Sequence, residues 1–498
     1  MYLGIDLGTS GVKAVLVDEA QRFVGQAAAP LEVGRPHPLW SEQDPEDWWT
    51  ATGRAVAALR AAHPREMAAV RGVGLSGQMH GATLLDASDR VLRPAILWND
   101  GRSGDECREL ERRVPELRRL TGNRAMPGFT APKLLWVARH EPDRFAATAH
   151  VLLPKDYLRL RMTGDHASDL SDSAGTLWLD VGRRCWSAEM LAATGLDEAQ
   201  MPRLYEGSQA TGTLRAEVAA GWGVPAGTPV AAGAGDNAAG AVGVGVVAPG
   251  SAFLSLGTSG VIFVSGDRFS PNPDRGVHAF CHALPRRWHQ MSVMLSAASC
   301  LTFAARLTGA DDEAALLREA EADVAAGSDI GPLVFLPYLS GERTPHNDPH
   351  AKGVFFGLTH DSGRSALARA VLEGVAFAFA DGLEVLEEAG DRVERLLVIG
   401  GGARSPLWGR ILASALDRPL DYPAGGEVGP AFGAARLARL AVTGEAPEEV
   451  CRPLEVRDTV RPDPALSRAM AGRRRLFRRL YGDLRAAFRE SAVPDPGG

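Results

Sequence analysis

Two copies of one six-residue motif suggest a pair of phosphate-binding turns. Leu-Gly-Thr-Ser-Gly-Val occurs at residues 7–12 and again at 256–261, 249 positions later, and each copy follows an apolar run typical of a β-strand. Glycine lets a backbone approach a ligand closely, while consecutive N–H groups and hydroxyls can donate hydrogen bonds to anionic oxygens. A single copy would more often be an ordinary hairpin turn. An identical repeat favours one unit built twice around a shared cleft. The residues concerned are Gly8, Thr9, Ser10, Gly257, Thr258 and Ser259.

A carboxylate and a lysine flank the first of these turns. Asp6 ends the preceding apolar run, where it would lie close to a Mg²⁺ ion bound to nucleotide phosphates. Because Mg²⁺ keeps much of its hydration, the contact is expected through water. Lys13 follows the turn and can serve as a phosphate countercharge. The alternative for Asp6 is a turn-capping role.

A second acidic residue lies among small residues. Asp236, followed by Asn237, stands in Gly-Ala-Gly-Asp-Asn-Ala-Ala-Gly at residues 233–240, where an apolar strand gives way to a helix start. A helix N-terminus keeps a carboxylate ionised, and small neighbours leave room for a substrate whose hydroxyl proton the carboxylate could accept. An ordinary N-cap aspartate is equally compatible with this pattern.

Polar side chains follow the strand predicted at residues 70–75. Gln78, Met79 and His80 lie between two glycines, so that an amide, a thioether and an imidazole are expected in an exposed loop. Such groups suit the hydroxyls of a sugar. For His80 alone, a structural histidine is the competing interpretation.

A glycine run follows the strand predicted at residues 396–399. The run consists of three glycines, Gly400, Gly401 and Gly402, followed by Ala403. Three glycines allow a flat ligand such as adenosine to lie against the backbone. A plain strand-to-helix turn would look similar. No Gly-x-x-x-x-Gly-Lys-Ser/Thr loop occurs, so ATP binding would need another fold.

The elements that must position these residues alternate between strands and helices. Strands are expected at residues 2–6, 12–17, 70–75, 229–232, 252–254, 333–336 and 396–399, and helices from Pro45 and over 368–386 and 464–490. This alternation predicts an α/β fold. Small residues at 238–249 place a boundary near 245, which gives domains 1–245 and 246–498, the second ending in a C-terminal helix. The arginines of that helix are expected on a solvated face.

Composition restricts the partners. The chain has 498 residues, 45% hydrophobic and 23% charged, which fits two globular domains. A net charge of −7 argues against broad binding to nucleic acid or to an anionic membrane. Five scattered cysteines without a Cys-x-x-Cys pair indicate neither a disulfide framework nor a zinc ribbon. With no signal-peptide pattern, a cytoplasmic protein with small-molecule partners is expected.

Together these residues resemble the FGGY family of carbohydrate kinases. Residues 128–136, Gly-Phe-Thr-Ala-Pro-Lys-Leu-Leu-Trp, look like the first family signature, and residues 353–373 look like the second. Four further stretches, at 5–10, 78–81, 98–101 and 340–345, are similar to bacterial members that phosphorylate D-xylulose.

The resemblance implies a fold and a reaction. The fold is two duplicated actin-like (ribonuclease H-like) ATPase domains around a central cleft, the first binding sugar and the second binding nucleotide. The implied reaction transfers phosphate from ATP to O5 of D-xylulose, with Mg²⁺ as the metal. The resemblance implies that Asp236 is the general base and that Met79, His80 and Asn237 contact the sugar. It also implies that ATP binds along Gly257, Thr258 and residues 401–403, and that Asp6 interacts with the metal.

Two alternatives stay open at this stage. Another FGGY kinase would use the same machinery on a different polyol. An actin-like ATPase that drives binding or assembly would need no base to activate an acceptor. The sequence leaves the oligomeric state undecided, a homodimer being one alternative.

Overall fold

A seven-stranded sheet forms the centre of the first half of the chain in the computed structural model, which describes residues 1–390, 392–424 and 429–491. Its strand order is β13-β14-β5-β1-β2-β3, with β15 also paired to β5. The strands of this half are β1 (Tyr2–Leu7), β2 (Gly11–Val17), β3 (Phe23–Pro30), β4 (Glu42–Gln43), β5 (Gly72–Gly77), β6 (Thr83–Leu85), β7 (Ala95–Ile96), β8 (His150–Leu152), β9 (Ala167–Asp169), β10 (Leu179–Asp180), β11 (Cys185–Trp186), β12 (Arg203–Tyr205), β13 (Ala210–Thr213), β14 (Pro229–Ala231) and β15 (Ala234–Gly235).

Eleven described α-helices surround this sheet and its smaller strand pairs. They are α1 (Pro45–Ala62), α2 (Pro64–Met67), α3 (Gly104–Arg113), α4 (Leu117–Thr121), α5 (Thr130–His140), α6 (Pro142–Ala146), α7 (Pro154–Thr163), α8 (Leu170–Ser173), α9 (Ala188–Ala193), α10 (Ala216–Trp222) and α11 (Asp236–Val244), with 3₁₀ turns at Ala174–Thr176 and Glu198–Gln200. The start of α1 follows the sequence prediction: the Asp44 side chain accepts a hydrogen bond from the Glu46 N–H, and Pro45 is the first helical residue.

A second seven-stranded sheet, ordered β18-β19-β17-β16-β22-β23-β24, forms the other half. Its strands, and the separate hairpin β20–β21, are β16 (Ala252–Leu256), β17 (Gly260–Gly266), β18 (His278–Cys281), β19 (Trp288–Met294), β20 (Val334–Pro337), β21 (Gly353–Phe356), β22 (Leu396–Ile399), β23 (Leu420–Pro423) and β24 (Val456–Val460). The helices are α12 (Ala298–Thr308), α13 (Glu313–Ala325), α14 (Arg364–Glu388), α15 (Pro406–Leu416), α16 (Pro430–Thr443), α17 (Pro447–Val450) and α18 (Pro464–Glu490), with 3₁₀ turns at Pro273–Arg275 and Gly401–Arg404.

The two sheets repeat one topology. In the first, β1 is antiparallel to β2 and parallel to β5, and β5 is parallel to β14. In the second, β16 is antiparallel to β17 and parallel to β22, and β22 is parallel to β23. Each copy of the hexapeptide forms the hairpin turn between the first two strands of its own sheet. The predicted α/β class with two duplicated actin-like domains is confirmed.

The two halves meet along a pair of helices rich in small residues. Helix α16, from the second half, lies on β1 and β5 of the first sheet and packs against α11. A side chain at Gly433 would overlap the carbonyl oxygen of Ala239, and one at Gly74 would overlap that of Ala434. Glycine at these positions therefore allows the close approach of the two halves.

Helix α18 spans the predicted residues, but one predicted solvated arginine is buried. The Arg473 guanidinium forms an ion pair with Glu373 of α14 at 2.6 Å, and both side chains are less than a tenth exposed. Arg478 pairs with Asp381 on the same helix. The prediction of a solvated arginine face is wrong for Arg473, because the periodicity of α18 gives no sign of the acidic residues on α14.

The strand predicted at residues 333–336 forms as β20, in a hairpin with β21 that is separate from both large sheets. In the ranges that the structure covers, no helix has the length and apolar character needed to cross a membrane.

Candidate active site

A cleft of about 340 Å³ opens between the two halves. The first half contributes its walls from the loop after β5, the residues before α5 and the start of α11, while the second half contributes the β16–β17 turn and residues of β18 and β19. Among the residues predicted from the sequence, the cleft brings together Met79, His80, Asp236, Asn237, Gly257, Thr258 and Ser259.

Asp236 is the first residue of α11 and is held by its neighbour. Its Oδ1 accepts hydrogen bonds from the backbone N–H of Asn237 at 2.7 Å and from the Asn237 side-chain amide at 3.0 Å. Burial, followed by the nearby charge of Asp6, raises the pKa of Asp236 to about 7. The start of α11 therefore does not keep Asp236 ionised throughout the neutral range, contrary to the prediction, because burial outweighs the helix N-terminus. The carboxyl group can accept or release a proton near neutral pH.

Asp6 lies near this carboxyl group at the end of β1. Its Oδ1 is buried and has no hydrogen-bond partner among the described residues. Burial raises the pKa of Asp6 to about 6, although Ser76 and Lys13 act in the opposite direction. Lys13 lies beside Asp6 because the two residues are paired across β1 and β2. A buried carboxylate oxygen without a partner, such as Asp6 Oδ1, is suited to interact with a divalent cation, directly or through water.

The hydrogen bonds of His80 fix its tautomer. Nδ1 lies 2.6 Å from the carbonyl oxygen of Gly175, and since a carbonyl only accepts, Nδ1 must carry the proton. Burial lowers the pKa of His80 to about 3, so the ring is neutral. Nε2 is then a hydrogen-bond acceptor, and no described residue occupies it. This atom can accept a bond from a ligand hydroxyl.

The backbone of His80 adopts a left-handed conformation that is uncommon for a residue with a side chain. Its φ is 69°, and such a conformation costs about 1 kcal/mol or more. Its carbonyl oxygen accepts bonds from Lys133 Nζ at 2.9 Å and from the Thr130 hydroxyl at 3.1 Å. Burial lowers the pKa of Lys133 to about 7. Lys133 and Thr130 belong to the 128–136 motif, which resembles the first family signature and which supports the His80 backbone here.

Gln78 is not brought to the cleft, and its predicted exposure is wrong. Only 2% of the residue is exposed. Its Oε1 accepts the Thr9 hydroxyl at 3.0 Å, and its Nε2 donates to Gln43 Oε1 at 3.0 Å. The same Thr9 oxygen accepts from Trp98 Nε1 at 2.9 Å. Gln78 thus orients Thr9, and through Thr9 also Trp98, instead of lining the cleft.

The two hexapeptide turns differ in what they face. The Gly257–Ser259 turn lines the cleft and packs on the start of α12, where the carbonyl oxygens of Gly257 and Thr258 accept bonds from Ala298 and Ala297. In the first turn, the Gly8 N–H donates to the Gly11 carbonyl at 2.9 Å, and Ser10 is exposed. Of the two turns, the second lines the cleft and the first does not.

The glycine run lies directly beside the second turn. Strand β22 is parallel to β16, which brings Gly400 to the Leu256 backbone, where a side chain would lie 2.7 Å from the Leu256 oxygen. Gly401 has no atom within 4 Å of the position a Cβ would take. Gly401, Gly402 and Ala403 form the 3₁₀ turn, and the Ser405 side chain caps α15.

The opposite wall holds residues that sequence reasoning missed. Arg343 lines the cleft with one Nη 3.4 Å from His278 Nε2, and His278 Nδ1 in turn contacts Asn123 Oδ1 at 2.8 Å. Phe129 packs edge-on against His80 with ring centroids 4.8 Å apart. Residues 340–345 were similar to the family, which was the signal for Arg343. Nothing in the sequence marked His278 as a cleft residue.

Two family models match this chain. They describe the N-terminal and the C-terminal domain of the FGGY family of carbohydrate kinases and match residues 1–243 and 252–442, respectively.

The similarity to known proteins extends over most of the chain. The xylulose kinase of Escherichia coli K12 is 58% identical over 485 residues, which cover 97% of this chain and 99% of that protein. The xylulose kinase of Bacillus subtilis 168 is 38% identical, covering 88% of this chain and 87% of that protein.

Solved structures agree in fold. The crystal structure of a protein described as a xyloylose kinase, from Brucella ovis, has a TM-score of 0.94 and 56% identity, covering 98% of this chain and 99% of that one. Plasmodium falciparum glycerol kinase with ADP has a TM-score of 0.86 at 18% identity, covering 99% of this chain and 98% of that one, and so shows the same fold. With both domain models matched and relatives similar along its length, this chain belongs to the FGGY family of carbohydrate kinases.

Proposed function

We propose that this protein transfers the γ-phosphoryl group of ATP to the O5 hydroxyl of D-xylulose, giving D-xylulose 5-phosphate and ADP. The observation that carries the proposal is the position of Asp236, on a cleft that has Met79 and His80 on one side and the Gly257–Ser259 turn on the other. The 58% identity to a xylulose kinase supports this choice of sugar.

Asp236 acts as the general base in this proposal. With a pKa raised to about 7, it is basic enough to accept the O5 proton and is still largely ionised at slightly alkaline pH. As the O5–phosphorus bond forms, the bond between the γ-phosphorus and the bridging oxygen breaks and ADP leaves. Asn237 keeps the carboxyl group in place through its two hydrogen bonds.

The neutral His80 orients the sugar. Its Nε2 accepts a hydrogen bond from a sugar hydroxyl, while Met79 provides an apolar contact next to it. Fixing the acceptor in this way contributes to rate because phosphoryl transfer depends mainly on positioning and charge neutralisation.

The residues around Asp6 fit a bound Mg²⁺ ion. Asp6 would hold it, through water, and the unpartnered Oδ1 and the adjacent Asp236 are consistent with that role. When bound, the ion supplies positive charge to the phosphates. Gly8, Thr9, Ser10 and Lys13 would complete this side of the phosphate site.

Nucleotide binding is assigned to the second domain and sugar binding to the first. ATP would extend from the turn at Gly257, Thr258 and Ser259 to the 3₁₀ turn of Gly401, Gly402 and Ala403. Closure of the two domains would then exclude water from the phosphoryl group. A boundary at residue 245, a cytoplasmic location and a homodimer remain predictions.

ADP release with Mg-ATP tests the proposal, with D-xylulose, L-ribulose, glycerol and no acceptor compared in one preparation. We expect strong dependence on D-xylulose, and NMR of the product should place the phosphate on O5. Preference for another polyol would contradict the assigned sugar. Equal rates with and without every acceptor would contradict the kinase assignment and favour an ATP-driven binding protein.

A further inference from the structure

A buried segment outside the cleft connects its two functional sides. Residues 169–176 run from the end of β9 through α8 into the adjoining 3₁₀ turn, and all eight are buried. None of them lines the cleft, yet Ser171 is hydrogen-bonded to Gly235, the residue before Asp236, and Gly175 is hydrogen-bonded to His80.

At one end, Ser171 holds the residue before Asp236. The Gly235 N–H donates to Ser171 Oγ at 3.2 Å. The Ser171 hydroxyl donates its own hydrogen to Asp169 Oδ2. Because a hydroxyl has only one hydrogen, the direction of both bonds is determined. Gly235 is the N-cap of α11, so its position sets where Asp236 begins the helix.

Asp169 is in turn fixed by a buried ion cluster. Lys155 Nζ lies 2.6 Å from Asp156, 2.8 Å from Asp169 and 3.1 Å from Asp172, and the side chains of all four are completely buried. Arg159 adds a second cation 3.9 Å from Asp156. Burial raises the pKa of Asp172 well above its ordinary value, while the nearby Lys155 charge acts in the opposite direction. Such a fully buried network permits little movement.

At the other end, Gly175 holds His80 and Met79. Its carbonyl oxygen accepts the bond from His80 Nδ1 that sets the tautomer. A side chain at Gly175 would lie 2.6 Å from atoms of the His80 ring and 2.9 Å from Met79 Cε. Only glycine leaves space for both sugar-side residues at this distance.

We propose that Ser171 and Gly175 are positioning residues, through which one rigid segment anchored on the Lys155 cluster sets the distance between the base Asp236 and the sugar-binding His80. The inference rests on the proposed function, because it takes Asp236 as the base. A purely structural role for the segment predicts something different, namely that loss of any buried hydroxyl from it has the same effect on turnover.

Ser173 provides a matched control for Ser171. Both serines lie in α8 and are completely buried, but the Ser173 hydroxyl donates to Ser168 and makes no bond to Gly235. We expect Ser171→Ala to lower kcat about 10- to 100-fold with the KM for ATP unchanged, and Ser173→Ala to keep kcat within about twofold at a similar Tm. If Ser171→Ala does not fold, Ser171→Cys carries the same expectation, since sulfur is a weak hydrogen-bond acceptor. Equal loss of kcat in the two serine variants would overturn the inference.

Gly175→Ala tests the other end. It should raise the KM for D-xylulose about tenfold, equivalent to about 1.4 kcal/mol, and leave the KM for ATP unchanged. In a His80→Ala background, Gly175→Ala should raise the KM for D-xylulose much less, because the ring that it displaces is absent. Additive effects of the two substitutions would overturn the assigned role of Gly175.

Asp236→Ala separates this inference from the proposed function. Near-normal xylulose phosphorylation by that variant would refute Asp236 as the base. If Asp236→Ala is inactive while Ser171→Ala and Ser173→Ala behave alike, the base stands and only the positioning role is refuted.

Discussion

His80 is the residue on which sugar affinity should depend most directly. We predict that His80→Ala raises the KM for D-xylulose about 3- to 10-fold, the usual loss for one hydrogen bond, and leaves the KM for ATP unchanged. Steady-state kinetics with each substrate varied in turn measure the two constants. The exposed His360 supplies a control variant, His360→Ala, that should change neither. An equal loss of affinity for sugar and ATP would identify His80 as a structural histidine.

Glu342 gives a pH-dependent prediction. Its Oε1 accepts the N–H groups of Leu295 and Arg343, yet burial raises its pKa from 4.5 to about 8. The folded state therefore retains this proton longer than the unfolded state. The resulting stabilisation is complete below about pH 4.5 and is lost as the pH rises through about 8.

The variant Glu342→Gln cannot ionise at this position. Between pH 5 and 8 the wild type should lose stability relative to it, by at most about 1.4 kcal/mol for each pH unit. Urea unfolding of both proteins at several pH values gives the difference, in which the other titrating groups cancel. A difference that does not change with pH would refute the raised pKa.

At the scale of single residues, the sequence indicated which residue types lie near the chemistry but did not reveal their contacts. Asp6, Asp236 and His80 stand out because of their small neighbours. The sequence could not reveal that Gln78 turns away from the cleft or that Gly175 fixes the His80 tautomer, because these contacts join residues about 70 and 95 positions apart.

One buried side chain, that of Lys155, joins α7, β9 and α8. Lys155 is the cation closest to three buried carboxyl groups. We predict that Lys155→Met lowers the free energy of unfolding by about 3–5 kcal/mol, since uncompensated buried charge is costly. Arg71→Met, which removes an exposed pair with Glu19, should change the free energy of unfolding little, because water and salt screen such a pair. Similar losses in urea unfolding would contradict the importance of the cluster.

Elements with strong local signals were predictable from the sequence. Helix α1 begins at its Asp44 cap and Pro45, helix α18 spans the expected residues 464–490, and β22 matches the expected 396–399. Short segments such as α8 were not predicted. Four helical residues have no periodicity, and α8 is stabilised by the Asp169 side chain and by its buried surroundings.

At the scale of the whole molecule, the α11–α16 contact joins the two halves. Gly433→Ala would overlap the Ala239 carbonyl, and we predict a loss of about 1–3 kcal/mol in unfolding free energy. Gly240→Ala in the same contact region meets no atom within 4 Å and should instead stabilise α11 by about 0.5–1 kcal/mol. Thermal and urea unfolding measure both changes. Equal effects of the two substitutions would show that close helix packing does not limit the approach of the halves.

The duplication was visible in the sequence because the turn motif is repeated, and the structure extends it to two whole sheets. The packing of α16 on the first sheet was not foreseen, since a linear boundary at 245 assigns that helix to the second domain. That the glycines and alanines of α16 serve close packing can be recognised only when the facing strands and helix are known.

The most direct test of the central claim is the rate of D-xylulose phosphorylation by Asp236→Ala at saturating Mg-ATP. Loss of a general base predicts that kcat falls by about 10²–10⁴, while Asp361→Ala, at an exposed loop position, keeps the wild-type rate. Near-normal sugar phosphorylation by Asp236→Ala would contradict the proposed mechanism.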